Sequence, residues 1–407
     1  MPLDLEFVRA RFPAFAEPTL RDTAFFENAG GSYACAPVVD RLGTYYRRLK
    51  VQPYGAYPAS QEAGAWMDAA YRALSPYLGV PEAWLHFGPS TSQNTYVLAQ
   101  ACRRWLVPGD ELIVTNQDHE ANSGVWRRLA SEGMVLREWT VEPDGGHLDP
   151  ARLAALLGPR TRLVCFPHCS NIVAEINPVA ELVDLAHRHG ARCVVDAVSF
   201  AGHGLPDVAA LGADAYLFSL YKTFGPHQGL MVIRPDFFEQ LGNEGHTFNA
   251  DQPRKRMNPA GPDHAQVAAA AGIAEYFDAL DAHHCPDGNA TGRPERVRGL
   301  LHEAETVLLG RLLEGLARLP GLRLLGPSDP ARRAATVSVV PQASSPQALA
   351  RALAERGLMV GAGHFYAVRL LEALGVAPDR GVLRMSMVHY NSATEVERLL
   401  EALEDLL

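Results

Sequence analysis

The stretch SLYKTFGPHQG, Ser219 to Gly229, sets Lys222 in a glycine-bordered polar loop between the apolar runs ADAYLF and LMVIRP. A turn lysine is ordinarily solvated. Held between two buried strands, its amine can shed its proton and condense with an aldehyde as a Schiff base. Upstream, Asp196 ends the apolar run RCVVD, where a carboxylate is costly unless a cation faces it. Other polar clusters also follow apolar runs. FGPSTSQN carries Ser90, Thr91 and Ser92, small hydroxyl residues at a helix start, whose free N–H groups and dipole suit a phosphate. NQDHEAN, after ELIVT, carries His119 and Asn122; a histidine there can stack on a flat ring or move a proton. HCSN, after RLVCFP, carries Asn171. Singly these read as a helix cap, a solvated histidine and a salt-bridged aspartate. In this chain order they supply a phosphate cradle, a ring-stacking group, an anion for a pyridinium nitrogen and an amine for an aldehyde. Those are the requirements of pyridoxal 5'-phosphate.

The elements that must position these groups alternate. Glu111–Thr115 and Arg162–Pro167 read as strands, and PVAELVDLAHRHG as a helix stopped at Gly190. RCVVDA, the helical DVAALG and the strand AYLFS follow. Strands alternating with helices predict an α/β fold, a mostly parallel sheet covered on both faces, with ligands beyond the carboxyl ends of the strands. From His264 the texture changes. HAQVAAAAGIAEYFDALDAHH reads as one helix and ERVRGLLHEAETVLLGRLLEGLARLPG as a long amphipathic one. AATVSVVP, LMVG and VLRMSMV read as strands among shorter helices, which predicts a smaller C-terminal α+β domain. The expected division is a large domain over residues 15–265, with residues 1–14 and 266–407 in the small one.

The 407 residues carry 37 Lys and Arg against 46 Asp and Glu, a net charge of −9, which argues against nucleic acid or an anionic membrane as a partner. No apolar run is long enough to span a bilayer and the start MPLDLEFVRARF lacks a signal pattern, so the expected location is cytoplasmic. The six cysteines are scattered without a CxxC pair; Cys165, Cys169 and Cys193 read as core residues, and HHC at His283–Cys285 is too little for a metal site, so no metal is expected.

With these motifs in place the sequence resembles the class V aminotransferases, the cysteine desulfurase-like group of fold-type I enzymes, over nearly its whole length. FFENAGGSYACAPVV resembles the opening strand and turn beside the substrate, which implies substrate contacts at Asn28 and Gly30. The resemblance implies that Ser90, Thr91 and Ser92 form the phosphate turn, that His119 stacks on the cofactor ring and that Asn171 meets its hydroxyl. It further implies that Asp196 partners the ring nitrogen, that Ser199 lies near the ring hydroxyl, and that Ser219 and Tyr221 contact phosphate before the Schiff-base residue Lys222. VLRMSMVHYNSATEVERLL places Arg384 on the arginine that holds the substrate carboxylate. A homodimer with active sites at the subunit interface is implied as well.

The sequence also departs from the pattern. Cysteine desulfurases carry a loop reading Gly-His-x-Cys; here GAGHFYAV keeps Gly363 and His364 but places Tyr366 where the sulfur-carrying cysteine would stand. Ser199 replaces a usual glutamine, Tyr221 a frequent histidine, and Gly261 a threonine that reaches the neighbouring subunit's phosphate. The expected activity is β-elimination on an α-amino acid, C–S lyase type, with Lys222 as base and Tyr366 or His364 near the leaving group. Transamination and epimerisation are the alternatives, and a non-catalytic pyridoxal-phosphate-binding regulator is the alternative from another class.

Overall fold

The computed structural model describes residues 2–407. Among them the strands are, in chain order, β1 (Ala24–Phe25), β2 (Leu85–Gly88), β3 (Glu111–Thr115), β4 (Val135–Trp139), β5 (Thr161–Pro167), β6 (Arg192–Asp196), β7 (Ala215–Ser219), β8 (Gly229–Ile233), β9 (Leu322–Leu325), β10 (Thr336–Pro341), β11 (Leu358–Met359), β12 (Gly361–Gly363) and β13 (Val382–Ser386). Seven form one sheet in the order β2-β8-β7-β6-β5-β3-β4. Only β8 runs against its neighbours β2 and β7; the other pairings are parallel.

Strands β3, β7 and β8 are buried at every position, which is why they read as unbroken apolar runs rather than alternating ones. Their side chains still alternate between faces. Leu230 and Val232 of β8 join one core with Phe166, Val195 and Phe218, whereas Met231 and Ile233 join the other with Cys165, Val194 and Leu217. Helices Ala36–Arg48, Pro58–Leu78 and Ala271–His284 pack on the first core, and Thr91–Cys102 and Glu120–Arg128 on the second.

The stretch that reads as one helix from His264 to His284 is two, His264–Ala269 and Ala271–His284. Both pack against Ala36–Arg48 and Pro58–Leu78, so they cover the large sheet although the sequence alone divides the chain near residue 266. Gly272 explains the close approach: a Cβ there would lie 2.5 Å from the Val38 nitrogen.

The smaller antiparallel sheet has the order β12-β13-β10-β9. Helices Arg293–Leu316, Pro346–Glu355 and Ala393–Leu406 bury their apolar sides with it in a third core. The last of these starts at a capping box, in which Ser392 and Glu395 each accept the other's backbone N–H. The run LMVG, read as one strand, belongs to two: β11 pairs with β1, and Gly361 begins β12 against β13. That division ties the N-terminal segment to the small sheet, and Glu27 bridges to Ser386. No helix among the described residues is long and apolar enough to cross a membrane, and no group of three or more His, Cys, Asp or Glu side chains among them could hold a metal ion.

Candidate active site

Strands β2, β3, β5, β6 and β7 end at one edge of the large sheet, and the chain beyond each end enters a single cleft. Its lining includes Ser90, Thr91, Ser92, His119, Asn171, Asp196, Ser199, Ser219, Tyr221 and Lys222. Residues up to 132 positions apart in sequence, Ser90 and Lys222, thus meet at one place because parallel strands deliver their carboxyl ends together.

At one end of the cleft, Ser90 caps the helix Thr91–Cys102, accepting the Gln93 N–H at 3.2 Å. Thr91 and Ser219 hydroxyls meet at 2.7 Å, which couples this helix start to the end of β7. Gly229 permits the approach: a Cβ there would stand 2.4 Å from the Ser90 carbonyl carbon and 2.5 Å from the Thr91 nitrogen. A helix of this length, with free N–H groups on its first turn, is a fitting seat for a phosphate.

Lys222 lies in a 3₁₀ turn directly after β7. The segment after β1 holds this turn: the Ser32 N–H donates to the Tyr221 carbonyl at 3.0 Å, and the Phe224 N–H donates to the Ser32 hydroxyl at 2.9 Å. Phe224 itself sits at φ +62° with a fully buried ring, a conformation that an L-residue keeps only where its surroundings enforce it. Behind the turn, a Cβ on Gly202 would lie 2.4 Å from the Lys222 carbonyl oxygen. Ser32 and Gly202 carry no chemistry, so nothing in their sequence context marks them.

Burial, aided by Arg384 and opposed by Asp196 and Glu27, pulls the Lys222 amine down to about 8. Burial pushes the Asp196 carboxyl up to about 6, against the Val198 N–H that donates to it at 2.9 Å and against the charge of Lys222. Acid and amine therefore tune one another across the cleft. Burial, with repulsion from Lys222 and Arg384, brings His119 down to about 4. Its Nδ1 accepts the Ala121 N–H at 3.1 Å, so the neutral ring carries its proton on Nε2. Under this floor, Asn122 donates to Asp118 at 2.8 Å, and burial lifts the Asp118 carboxyl to about 8. Asn122 thus supports the site from below.

A second wall stands beyond Asn171, built from the small sheet and the N-terminal segment and joined to the cleft through Asn171 without being part of its lining. Arg384, on β13, is 3% exposed. It pairs with Glu27 at 2.6 Å, donates from Nη1 to the Asn171 carbonyl at 3.3 Å, and stacks on the Phe365 ring at 3.7 Å. Burial lowers its pKa, while Glu27 opposes that shift. Phe365 and Tyr366 both adopt positive φ, +48° and +58°, a buckle that turns the Phe365 ring under the guanidinium and its carbonyl toward Asn171 Nδ2, at 2.8 Å. Tyr366 is 65% exposed, with its ring 5.2 Å from that of His119. The Tyr366 N–H donates to His364 Nδ1 at 3.0 Å, and the Tyr366 carbonyl accepts the Glu120 N–H at 2.8 Å. Asn28 points elsewhere: its amide donates to the Ser386 carbonyl at 2.9 Å and accepts the Tyr390 hydroxyl, so it joins β1 to the C-terminal region without lining the cleft. Gly30 is exposed beside Glu27, whose Oε1 a Cβ there would approach to 2.7 Å. Glu27 is the residue that sequence reasoning missed. Its only early signal was its place beside Asn28 in FFENAGG.

The cleft fits pyridoxal phosphate on its own chemistry. It offers an anion seat at a helix start, an amine lowered toward neutrality, a buried carboxyl near that amine, and an Asn171 Oδ1 that is buried with no partner.

Comparison with known proteins gives a consistent account. The family described as aminotransferase class-V matches residues 24–287 and 298–399. The chain is 34% identical to the aminotransferase-like protein FGM3 of Gibberella zeae, over 99% of this chain and 98% of that protein. It is 32% identical to a probable cysteine desulfurase of Pseudomonas aeruginosa, over 97% and 96%. The apo structure of a cysteine desulfurase from Thermococcus onnurineus superposes with a TM-score of 0.87 at 26% identity, covering 100% of this chain and 98% of that one.

Proposed function

The chain belongs to the aminotransferase class-V family of pyridoxal-phosphate-dependent enzymes, and on that premise we propose that it expels a substituent from the β-carbon of an α-amino acid. The bound cofactor supplies an aldehyde for amine exchange and a pyridinium ring that withdraws electrons from the bonds of the substrate α-carbon. The N–H groups of Thr91 and Ser92 and the hydroxyls of Ser90 and Ser219 bind the phosphate. Asp196 would hold a proton at the ring nitrogen, and His119 would cover the ring face. Arg384 binds the substrate carboxylate. Lys222 Nζ would hold the cofactor aldehyde, and as the amine nearest the substrate α-carbon, lowered by burial to about 8 in the free protein, it would take the α-proton.

One observation carries elimination over transfer of sulfur to the protein: no thiol near the cleft can act as a nucleophile. Tyr366 occupies the loop over His119. Cys169 lines the cleft but is 3% exposed, donates to the Ala174 carbonyl at 3.2 Å, and is pushed up to about 12 by burial. Burial likewise pushes Cys35 up to about 12. Neither is a thiolate at neutral pH. A leaving sulfur on the substrate would therefore depart into solution. We propose a homodimer in the cytoplasm as the working form.

The test is incubation with cysteine, cystine and S-substituted cysteines, with product identification. Pyruvate together with sulfide or thiol supports the proposal. A keto acid that appears only with an added amino acceptor would make the enzyme a transaminase, and recovery of the opposite enantiomer would make it an epimerase.

A further inference from the structure

At the Glu27–Arg384 pair, two buried polar atoms have no partner: Arg384 Nε and Glu27 Oε2. Buried polar groups are nearly always satisfied, and a cluster of exceptions marks a place where a ligand completes the pattern. Glu27 is built into this place. Two glycines leave room for its carboxylate: a Cβ on Gly361 would stand 2.1 Å from Oε2, and one on Gly30 2.7 Å from Oε1. Neither glycine has a positive φ, and the absence of a side chain at each leaves the Glu27 carboxylate in its present position. Both Glu27 and Arg384 act on the charge of Lys222, which places the pair within electrostatic reach of the amine.

The geometry restricts how a substrate binds. Arg384 Nη1 is taken by the Asn171 carbonyl and Nη2 by Glu27. A carboxylate that engages the guanidinium at two points uses Nε, which has no partner, and Nη2, and so lies directly against the Glu27 carboxylate. With a simple amino acid the site would then hold two carboxylates against one guanidinium, in a place where Glu27 is only 26% exposed. Like charges brought together at a half-buried site repel. A ligand that brings a cation along with its carboxylate restores the balance. The substrate's α-amino group is committed to the cofactor, so the cation must lie on the side chain.

Resting on the reading above, we propose that Glu27 is the specificity-determining residue of this cleft and that the enzyme selects amino acids whose side chain ends in a cationic group, such as an ammonium or guanidinium beyond the leaving atom. Glu27 guards Arg384 in the free enzyme and pairs with the substrate cation in the complex. In an elimination the α-proton moves to Lys222 Nζ and the electron pair of the Cα–H bond forms the Cα–Cβ double bond. The Cβ–S bond breaks with its pair on sulfur, and the thiolate takes a proton and leaves still carrying its cation.

The test titrates the cofactor-loaded enzyme with L-lysine and with L-norleucine, its uncharged counterpart, following the change in visible absorbance. Neither has a leaving group, so the readout is binding. Wild type is expected to bind lysine about tenfold or more tighter than norleucine, the range of one charge-assisted hydrogen bond. Glu27→Gln is expected to bring the ratio to within about twofold while improving norleucine binding. Equal affinities in wild type, or an unchanged ratio in Glu27→Gln, would overturn the proposal. If Glu27→Gln fails to fold, the wild-type ratio still decides. Relative kcat/KM for S-(2-aminoethyl)-L-cysteine over S-propyl-L-cysteine in wild type gives an independent measure, expected to favour the cationic compound by a similar factor. An enzyme whose absorbance responds to no amino acid, cysteine included, would instead refute the catalytic reading on which the proposal stands.

Discussion

The floor of the cleft and its outer wall are built in opposite ways. On the floor, each functional side chain follows its own strand within a few residues: Ser90 after β2, His119 after β3, Asn171 after β5, Asp196 at the end of β6 and Lys222 after β7. The sheet is buried on both faces, so these positions are held by two cores at once. The outer wall has no such frame. It joins Glu27, from the N-terminal segment, to Arg384, 357 residues away in sequence, and both to a loop whose consecutive residues hold positive φ. On the function proposed above, the floor would hold the cofactor and the wall the substrate, and ion pairs and a buckled loop can change there without disturbing the sheet.

Experiments that separate the two regions test this contrast. The largest effect is expected on the floor. Lys222→Ala should abolish borohydride trapping of the cofactor on the protein and lower turnover by about 10³-fold, the range of a lost general base. If the purified wild type is colourless and traps nothing at Lys222, the floor has been misread. On the wall, Arg384→Met should weaken amino-acid binding by about 100-fold, since it removes the buried cation that the substrate carboxylate would pair with. Cofactor absorbance should be retained. Loss of cofactor in this variant would show that wall and floor are one unit.

Gly229→Ala probes the seam between β8 and the helix Thr91–Cys102. Its Cβ would meet backbone at 2.4 Å, so a cost of about 1–3 kcal/mol is expected, visible as a lower Tm and faster loss of cofactor on dialysis. The cofactor-free protein offers a pH test. Because the Lys222 amine is lowered to about 8, its neutral form should appear as pH rises through that value, and an acylating reagent mapped by mass spectrometry should label Lys222 with a midpoint near 8. Arg384→Met should raise that midpoint, because the arginine is one of the groups that lower it. The smallest effect is expected at Tyr366→Phe. The side chain is exposed, so stability should stay within about 0.5 kcal/mol of wild type and kcat/KM should change little. A large fall in kcat alone would identify its hydroxyl as a proton donor.

The contrast also explains what could be read in advance. Lys222 and Asp196 were legible because each is one charged residue at the border of an apolar run, where its burial needs a reason. Arg384 stood in a strand and was singled out only through family resemblance, and Asn28, placed beside the substrate on the same ground, lies in the packing beneath β13. Glu27 was passed over because an acidic residue near a turn is ordinary. Its meaning depends on a guanidinium 2.6 Å away. The helix break near Ala270 was equally hidden: the apolar pattern continues across it, and the helices are positioned by contact with Val38 through Gly272.

From the order of residues alone came the α/β class and the polar clusters at Ser90–Ser92, Asp196 and Lys222 that the fold brings to one cleft. These depend on short-range patterns: periodicity, a helix start, a charge bounding an apolar run. Folding in three dimensions decided that Glu27 covers Arg384, that Phe365 lies beneath the guanidinium, and that Cys169 is sealed from reaction. Those outcomes follow from distances between segments that are far apart along the chain, and a linear pattern carries no information about such distances until the sheets bring the segments together.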